Sequence, residues 1–168
     1  MDPSKRILVA VDDSEASTRA VSYVAKIIGR RSGVRVRLMH VLPSVPPALL
    51  EFAGADKPAQ EERLEAAQHA AQTRWLDQAA QAAQPVLSRA KWILRKAGVP
   101  LSAVETECCP SISGERVARE ILEAAHASGC GTVVVGRASH AGLTGLFQHH
   151  VGDALIKGGH GLTVWIVE

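Results

Sequence analysis

The chain has 168 residues, close to the roughly 150 of one domain, so a single core over residues 1–168 is expected. With 46% hydrophobic and 21% charged residues it sits among ordinary globular chains, which excludes disordered and collagen-like classes. Nineteen Lys and Arg against seventeen Asp and Glu leave +2 with no basic stripe, and only 4% of residues are aromatic, so neither a phosphate-tracking nor a base-stacking nucleic-acid surface is expected.

The three cysteines, Cys108, Cys109 and Cys130, are odd in number and two are adjacent, which suits neither a disulfide framework nor tetrahedral zinc. A reducing cytoplasm is the simple reading. Lys5 and Arg6 precede an apolar run that is shorter than a signal peptide needs and ends at Asp12. No stretch nears the roughly 18 apolar residues of a membrane-spanning helix, so no membrane partner is expected.

Residues 7–11 (Ile-Leu-Val-Ala-Val) form a short apolar run ending in Asp12-Asp13-Ser14, which predicts a strand covered on both faces and followed by a helix cap, Ser14 or Asp13. Ala16, Ala20, Val21, Val24, Ile27 and Ile28 then recur at three- and four-residue spacing up to Gly29, predicting a helix. Residues 34–41 are β-branched and partly alternating, hence a second strand nearer the sheet's edge, stopped by Pro43, Pro46 and Pro47. After a Pro- and Gly-containing connection, residues 59–98 are rich in Ala and Gln and predict a long helical segment ended by Gly98. Pro85 inside it removes one hydrogen bond at a cost of about 3 kcal/mol, so a kink or two helices are expected, with Trp75 and Trp92 as packing anchors. A third strand is expected over residues 101–107, and a helix over 113–128 with Val117, Ile121, Leu122 and Ala125 inward. Residues 132–135 (Thr-Val-Val-Val) form the β-branched run of a buried parallel strand stopping at Gly136, and a short helix near 151–157 and a last strand over 162–167 follow. Five strands separated by helices predict an α/β fold, a doubly wound, Rossmann-like parallel sheet.

Ligands in such sheets bind beyond the carboxyl ends of the strands, where neighbouring connections leave in opposite directions. Two strand ends qualify. In residues 11–14 a carboxylate follows the first strand and can accept hydrogen bonds from a ribose or base. Residues 136–145 form a glycine- and hydroxyl-containing loop whose backbone amides can cradle phosphate. The alternatives are bland. Asp12 and Asp13 serve equally as helix caps, His140, His149 and His150 as a solvated loop without metal, and Cys108 and Cys109 as small buried hydrophobes.

These residues together resemble the universal stress protein family over nearly the whole chain. The resemblance rests on residues 7–12 with Ser14, on His40-Val41, on residues 118–125 and 133–136, on Gly142-Leu143 and on the closing strand. It implies an adenine-nucleotide-hydrolase-like fold with a cleft for ATP or AMP, in which Val11, Asp12 and Val41 serve the nucleoside and Gly136, Arg137, Ser139, His149 and His150 surround the phosphates. ATP-binding members carry Gly, two residues, Gly, nine residues, then Gly with Ser or Thr. Here Gly136 matches, and Ser139, His149 and His150 replace the rest. If the glycines turn with positive φ, two Cβ-bearing replacements cost about 2–4 kcal/mol together, a loss of roughly 30- to 1,000-fold in affinity. ATP is therefore expected to bind weakly or not at all.

The resemblance also implies a homodimer through the last strand, Leu162 and its successors to Val167. The chain has no GxxxxGK[ST] loop and no GxSxG elbow, so no catalytic residue is assigned and at most slow ATP hydrolysis is expected. A phosphoacceptor receiver domain would need an aspartate where the third strand ends in Cys108-Cys109. The function expected is a cytoplasmic stress-response binding or regulatory module. The alternatives are an ATP sensor of the same family, or a module that uses residues 59–84 to grip an unidentified protein partner.

Overall fold

Strand β1 (Arg6–Ala10) is the centre of a five-stranded parallel sheet of order β3-β2-β1-β4-β5, where β2 is Arg35–Leu42, β3 Val104–Pro110, β4 Thr132–Gly136 and β5 Thr163–Val167. The computed structural model describes residues 2–29, 31, 33–50, 58–111, 116–137 and 150–168. Four helices cover the sheet: α1 (Glu15–Ile28), α2 (Pro58–Lys96), α3 (Val117–Ala127) and α4 (His150–Gly158).

Period-2 alternation along the strands divides the core into two layers. Val9, Val11, Leu38 and Val134 face α1 and α2, where Ala20, Val21, Val24, Val86, Leu87, Ala90 and Leu94 meet them. Leu8, Ala10, Met39, Val133 and Val135 face α3 and α4, against Val117, Ile121, Ala125 and Leu155. Each such Val, Leu, Ile or Met side chain, removed from water, contributes about 1.5–3 kcal/mol, which is why these runs are apolar on both faces. The expected Rossmann-like α/β architecture is the observed one.

Helix boundaries follow local chemistry. Ser14 is the N-cap of α1, its Oγ accepting from the Ser17 N–H at 3.1 Å. Gly98, at φ 94°, closes α2: the Val99 N–H reaches the Leu94 carbonyl at 3.1 Å and the Gly98 N–H reaches that of Arg95 at 3.0 Å. This is the paired-bond C-terminal stop that needs a left-handed residue.

Three expectations are corrected. Pro85 does not divide the long segment, because α2 is one helix of 39 residues. Pro85 and Gln81 are both exposed, so the carbonyl that loses its donor lies on the wet side, while Ala83, Val86 and Leu87 hold the inner side to the sheet. Trp92 is not a packing anchor; it is 57% exposed and lies on the outer side, with the Lys96 ammonium 5.1 Å from its ring centre. The third strand begins at Val104, since residues 101–103 form a 3-10 turn that exposes Leu101, and it continues to Pro110 in register with Leu42. Val117, Ile121 and Ala125 are buried inward as expected, and Leu122, half-buried, packs against the same core. The second strand lies one place in from the edge that β3 forms.

Candidate functional site

From β1 the chain passes through α1 to β2 on one side, and from β4 through α4 to β5 on the other. The connections therefore diverge between the carboxyl ends of β1 and β4, and the crevice left there is where this architecture binds ligands. Asp12 and Gly136 flank it.

Asp12 is 4% exposed, and its surroundings are built by the cap of α1. Its backbone N–H donates to Ser17 Oγ at 3.0 Å, and its Oδ1 accepts from the Ser14 N–H at 3.0 Å and from the Ser14 hydroxyl. The other carboxylate oxygen, Oδ2, is buried and has no hydrogen-bond partner among the described residues. Leaving such an acceptor unmet costs about 1–3 kcal/mol, more when it is charged, so a donor supplied by a ligand would recover that cost.

The neighbouring carbonyl is braced from the next strand. His40, 8% exposed at the carboxyl end of β2, donates from Nδ1 to the Val11 oxygen at 2.8 Å, and because a carbonyl only accepts, Nδ1 carries the proton. The Val11 N–H donates to the Met39 oxygen at 2.8 Å. Val41 is fully buried beside Cys109 in the β2–β3 ladder, so its side chain packs and only its backbone faces the end of the sheet. His40 and Ser17 are site-forming residues that the sequence reading did not single out. His40 was present only in the strand-ending His-Val pair, and Ser17 had no signal beyond standing three residues after a cap.

Gly136 is required for a different reason from the one expected. The described glycines with positive φ are Gly29, Gly33, Gly98, Gly129 and Gly161, and Gly136 is not among them. A Cβ at Gly136 would overlap the carbonyl of Ala16, in the first turn of α1. The residue lets the end of β4 lie directly against that turn, which brings the start of α1 alongside the crevice. Arg137 follows: its N–H donates to the Val167 oxygen at 2.7 Å, and its guanidinium donates to Glu168 Oε1 at 2.7 Å. Both partners of that ion pair are largely exposed, so the pair contributes little and can be exchanged for another anion.

Ser139 and His149 lie outside the described residues, and His150 is the first residue of α4. The described part of the crevice is therefore the end formed by Asp12, Gly136 and the start of α1. Asp13 turns out of it, exposed and paired with Arg89 of α2 at 3.0 Å, so it is neither the cap nor a facing carboxylate. Between α1 and α2, Asp12, Ser17, Thr18, Val86 and Arg89 line an open recess of about 10 Å³, the size of one water.

Cys108 and Cys109 end the neighbouring edge strand. Burial pushes both thiols up, with Glu107 adding to Cys108, and Glu120, Glu107 and Glu123 adding to Cys109. That is the character of packed thiols rather than of nucleophiles. Among the described residues there is no group of three His, Cys, Asp or Glu side chains that could hold a metal ion, and no helix is long and apolar enough to cross a membrane.

Solved structures share this architecture. The universal stress protein UspA from Lactobacillus plantarum superposes with a TM-score of 0.59 at 14% identity, covering 100% of this chain and 99% of that one. A universal stress protein from Archaeoglobus fulgidus in complex with dAMP gives 0.54 at 21% identity over 97% of each chain. A universal stress protein in complex with cAMP gives 0.58 at 15% identity over 97% of this chain and 95% of that one. At these identities the likeness shows the fold. No curated protein matches the sequence. The sequence model of the universal stress protein family matches residues 3–167, and with the β1–β4 crevice and its buried aspartate in place, the chain belongs to that family.

Proposed function

We propose that the protein is a non-enzymatic binding or regulatory module of the stress response that holds the nucleoside end of an adenine nucleotide at Asp12. The observation that carries this reading is the buried, unpartnered Oδ2 of Asp12, at the crevice where the connections of a doubly wound sheet diverge. A ribose hydroxyl or adenine amino group is the neutral donor that such an oxygen accepts from. Similar folds solved with cAMP and dAMP support a monophosphate as the ligand. With Ser139, His149 and His150 standing where ATP-binding members carry glycine and Gly-Ser or Gly-Thr, AMP binds as well as ATP or better, and the triphosphate adds nothing.

Calorimetric titration with ATP, AMP and adenosine, with and without magnesium, tests this. Binding of AMP and adenosine that disappears in Asp12→Ala supports it. Absence of heat with every ligand at millimolar concentration refutes it, and micromolar ATP with much weaker AMP replaces it with an ATP sensor.

The module works in the cytoplasm as a homodimer through β5. That strand is an edge of the sheet, and Val164, Trp165, Ile166 and Val167 are only half-buried, an apolar edge that proteins normally cover. A second reading places partner binding on α2, whose residues 60–67 are exposed throughout, Leu64 included at 40%. Pull-down of a protein partner with and without residues 59–84 separates the two surfaces.

A further inference from the structure

Helix α2 is longer than the sheet it covers. Its 39 residues span about 58 Å at 1.5 Å per residue, against about 26 Å for β2, the longest strand. Among its described residues the first buried one is Ala83, and residues 60–67 are exposed on every side of the helix. The first turns of α2 therefore stand clear of the sheet as an arm.

The two ends of α2 carry opposite charge. On the arm Glu61, Glu62 and Glu65 outnumber Arg63, and Leu64 among them is 40% exposed. From Pro85 to Lys96 there is no acid. There Lys91, Arg95 and Lys96 surround Trp92, which is 57% exposed with the Lys96 ammonium 5.1 Å from its ring centre. Arg89 is answered by Asp13, but none of these three glutamates or three cations makes an ion pair among the described residues. The helix dipole accounts for Glu61 in the first turn and for Arg95 and Lys96 in the last. It fades within a turn, so Glu65 and Lys91 lie beyond it. Each of these stands four residues from a like charge, Glu61 or Arg95, a spacing that opposes the helix unless an opposite charge comes from outside.

Each end is thus an exposed apolar side chain ringed by one sign of charge, and the two ends are complementary. Leu64 and Trp92 are about 42 Å apart along one continuous helix, so within a chain they never meet. Between two chains they do. We propose that the arm of one copy docks on the Trp92 face of a second copy lying antiparallel to it, Leu64 covering the indole while the glutamates face the cations around it. The two-fold relation makes the contact twice. The spacing of Leu64 and Trp92 is four heptads, which a left-handed supercoil of two helices turns onto one seam. This rests on the reading of α2 as a partner surface and names the partner as the chain itself.

Sedimentation equilibrium of the whole chain tests it. The weight-average mass falls about twofold from low to high salt, a response that the apolar β5 edge does not give. Glu61→Lys with Glu65→Lys, or Arg95→Glu with Lys96→Glu, lowers the mass to the same extent at low salt. Mixing these two variants restores it, because each arm then meets a face of opposite charge. Trp92→Ala weakens association about thirtyfold. Every substituted residue is exposed, so a lower mass reports the contact and not the fold. The proposal fails if reversal at either end leaves the mass unchanged, or if the mixture does not recover it. A constant mass with a pull-down that still needs residues 59–84 overturns self-docking and keeps α2 as the surface for another protein, whereas a constant mass with no such need overturns both. A constant mass with sedimentation on phosphatidylglycerol vesicles, lost in the Arg95 and Lys96 variant, overturns it in favour of an anionic lipid surface.

Discussion

The two ends of strand β1 carry opposite deficits. Among the described residues, a buried carboxylate oxygen of Asp12 at its carboxyl end lacks a donor, and a buried N–H of Arg6 at its amino end lacks an acceptor. Between them residues 7–11 are at most 5% exposed and wholly apolar. The difference lies in what each end is built from. At the carboxyl end the cap of α1 presents the Ser14 N–H and hydroxyl, and these satisfy one carboxylate oxygen and leave the other, buried, without a donor among the described residues. At the amino end the last turn of α3 presents the Ser128 carbonyl, which accepts from one Nη of the Arg6 guanidinium and leaves its buried Nε without an acceptor among the described residues. Helix polarity selects the charge, because an amino terminus favours an anion and a carboxyl terminus a cation. In a parallel sheet with helical crossovers every helix repeats that polarity, so opposite ends of one strand offer opposite chemistry.

Four measurements break or sharpen this contrast. The largest effect belongs to Gly136→Ala, which drives a methyl group into the backbone of Ala16 and costs at least about 3 kcal/mol. Urea unfolding should show a much lower midpoint, and an unchanged midpoint would mean that β4 and α1 are not held that closely. Next is Arg6→Met, which keeps the bulk but removes the cap on the Ser128 carbonyl; a loss of about 2 kcal/mol in the same assay is expected.

Asp12→Asn should separate stability from binding. Removing a buried charge that is only half satisfied raises the stability of the ligand-free protein by about 1 kcal/mol, while affinity for AMP is lost. A variant less stable than the parent would show that the carboxylate serves the cap of α1 rather than a ligand. The smallest effect concerns the thiols at the end of β3. Raised by burial and by Glu107 among others, Cys108 and Cys109 stay protonated at neutral pH, so alkylation by iodoacetamide is slow there and accelerates only as the pH rises above the ordinary thiol range. Rapid labelling at pH 7 would contradict their assignment as packed residues.

Much of this was legible in the sequence, and the limits are physical. An apolar run ended by an acid, then by a serine and a helical period, located β1, Asp12 and the cap of α1 correctly, because strand burial and capping act over a few residues. The position of Gly136 was legible but its purpose was not. From sequence a glycine signals either a left-handed turn or a close approach, and only the packing of α1 across β4 distinguishes the two. That α2 runs on past Pro85 was not legible, because the helix penalty is local, whereas the contacts of Val86, Leu87 and Leu94 that hold α2 are with a sheet made elsewhere in the chain.

The sequence by itself determined the order of strands and helices, the family, and the candidate residues after the first and fourth strands. These are written in periodicities and short-range caps. Only the tertiary structure decided that Asp12 keeps one oxygen unmet, that His40 from β2 braces the Val11 carbonyl, and that Arg6 closes a helix end 122 residues away. Those facts depend on which groups meet after folding, and the satisfaction of a buried charge belongs to that meeting, not to any segment of the chain.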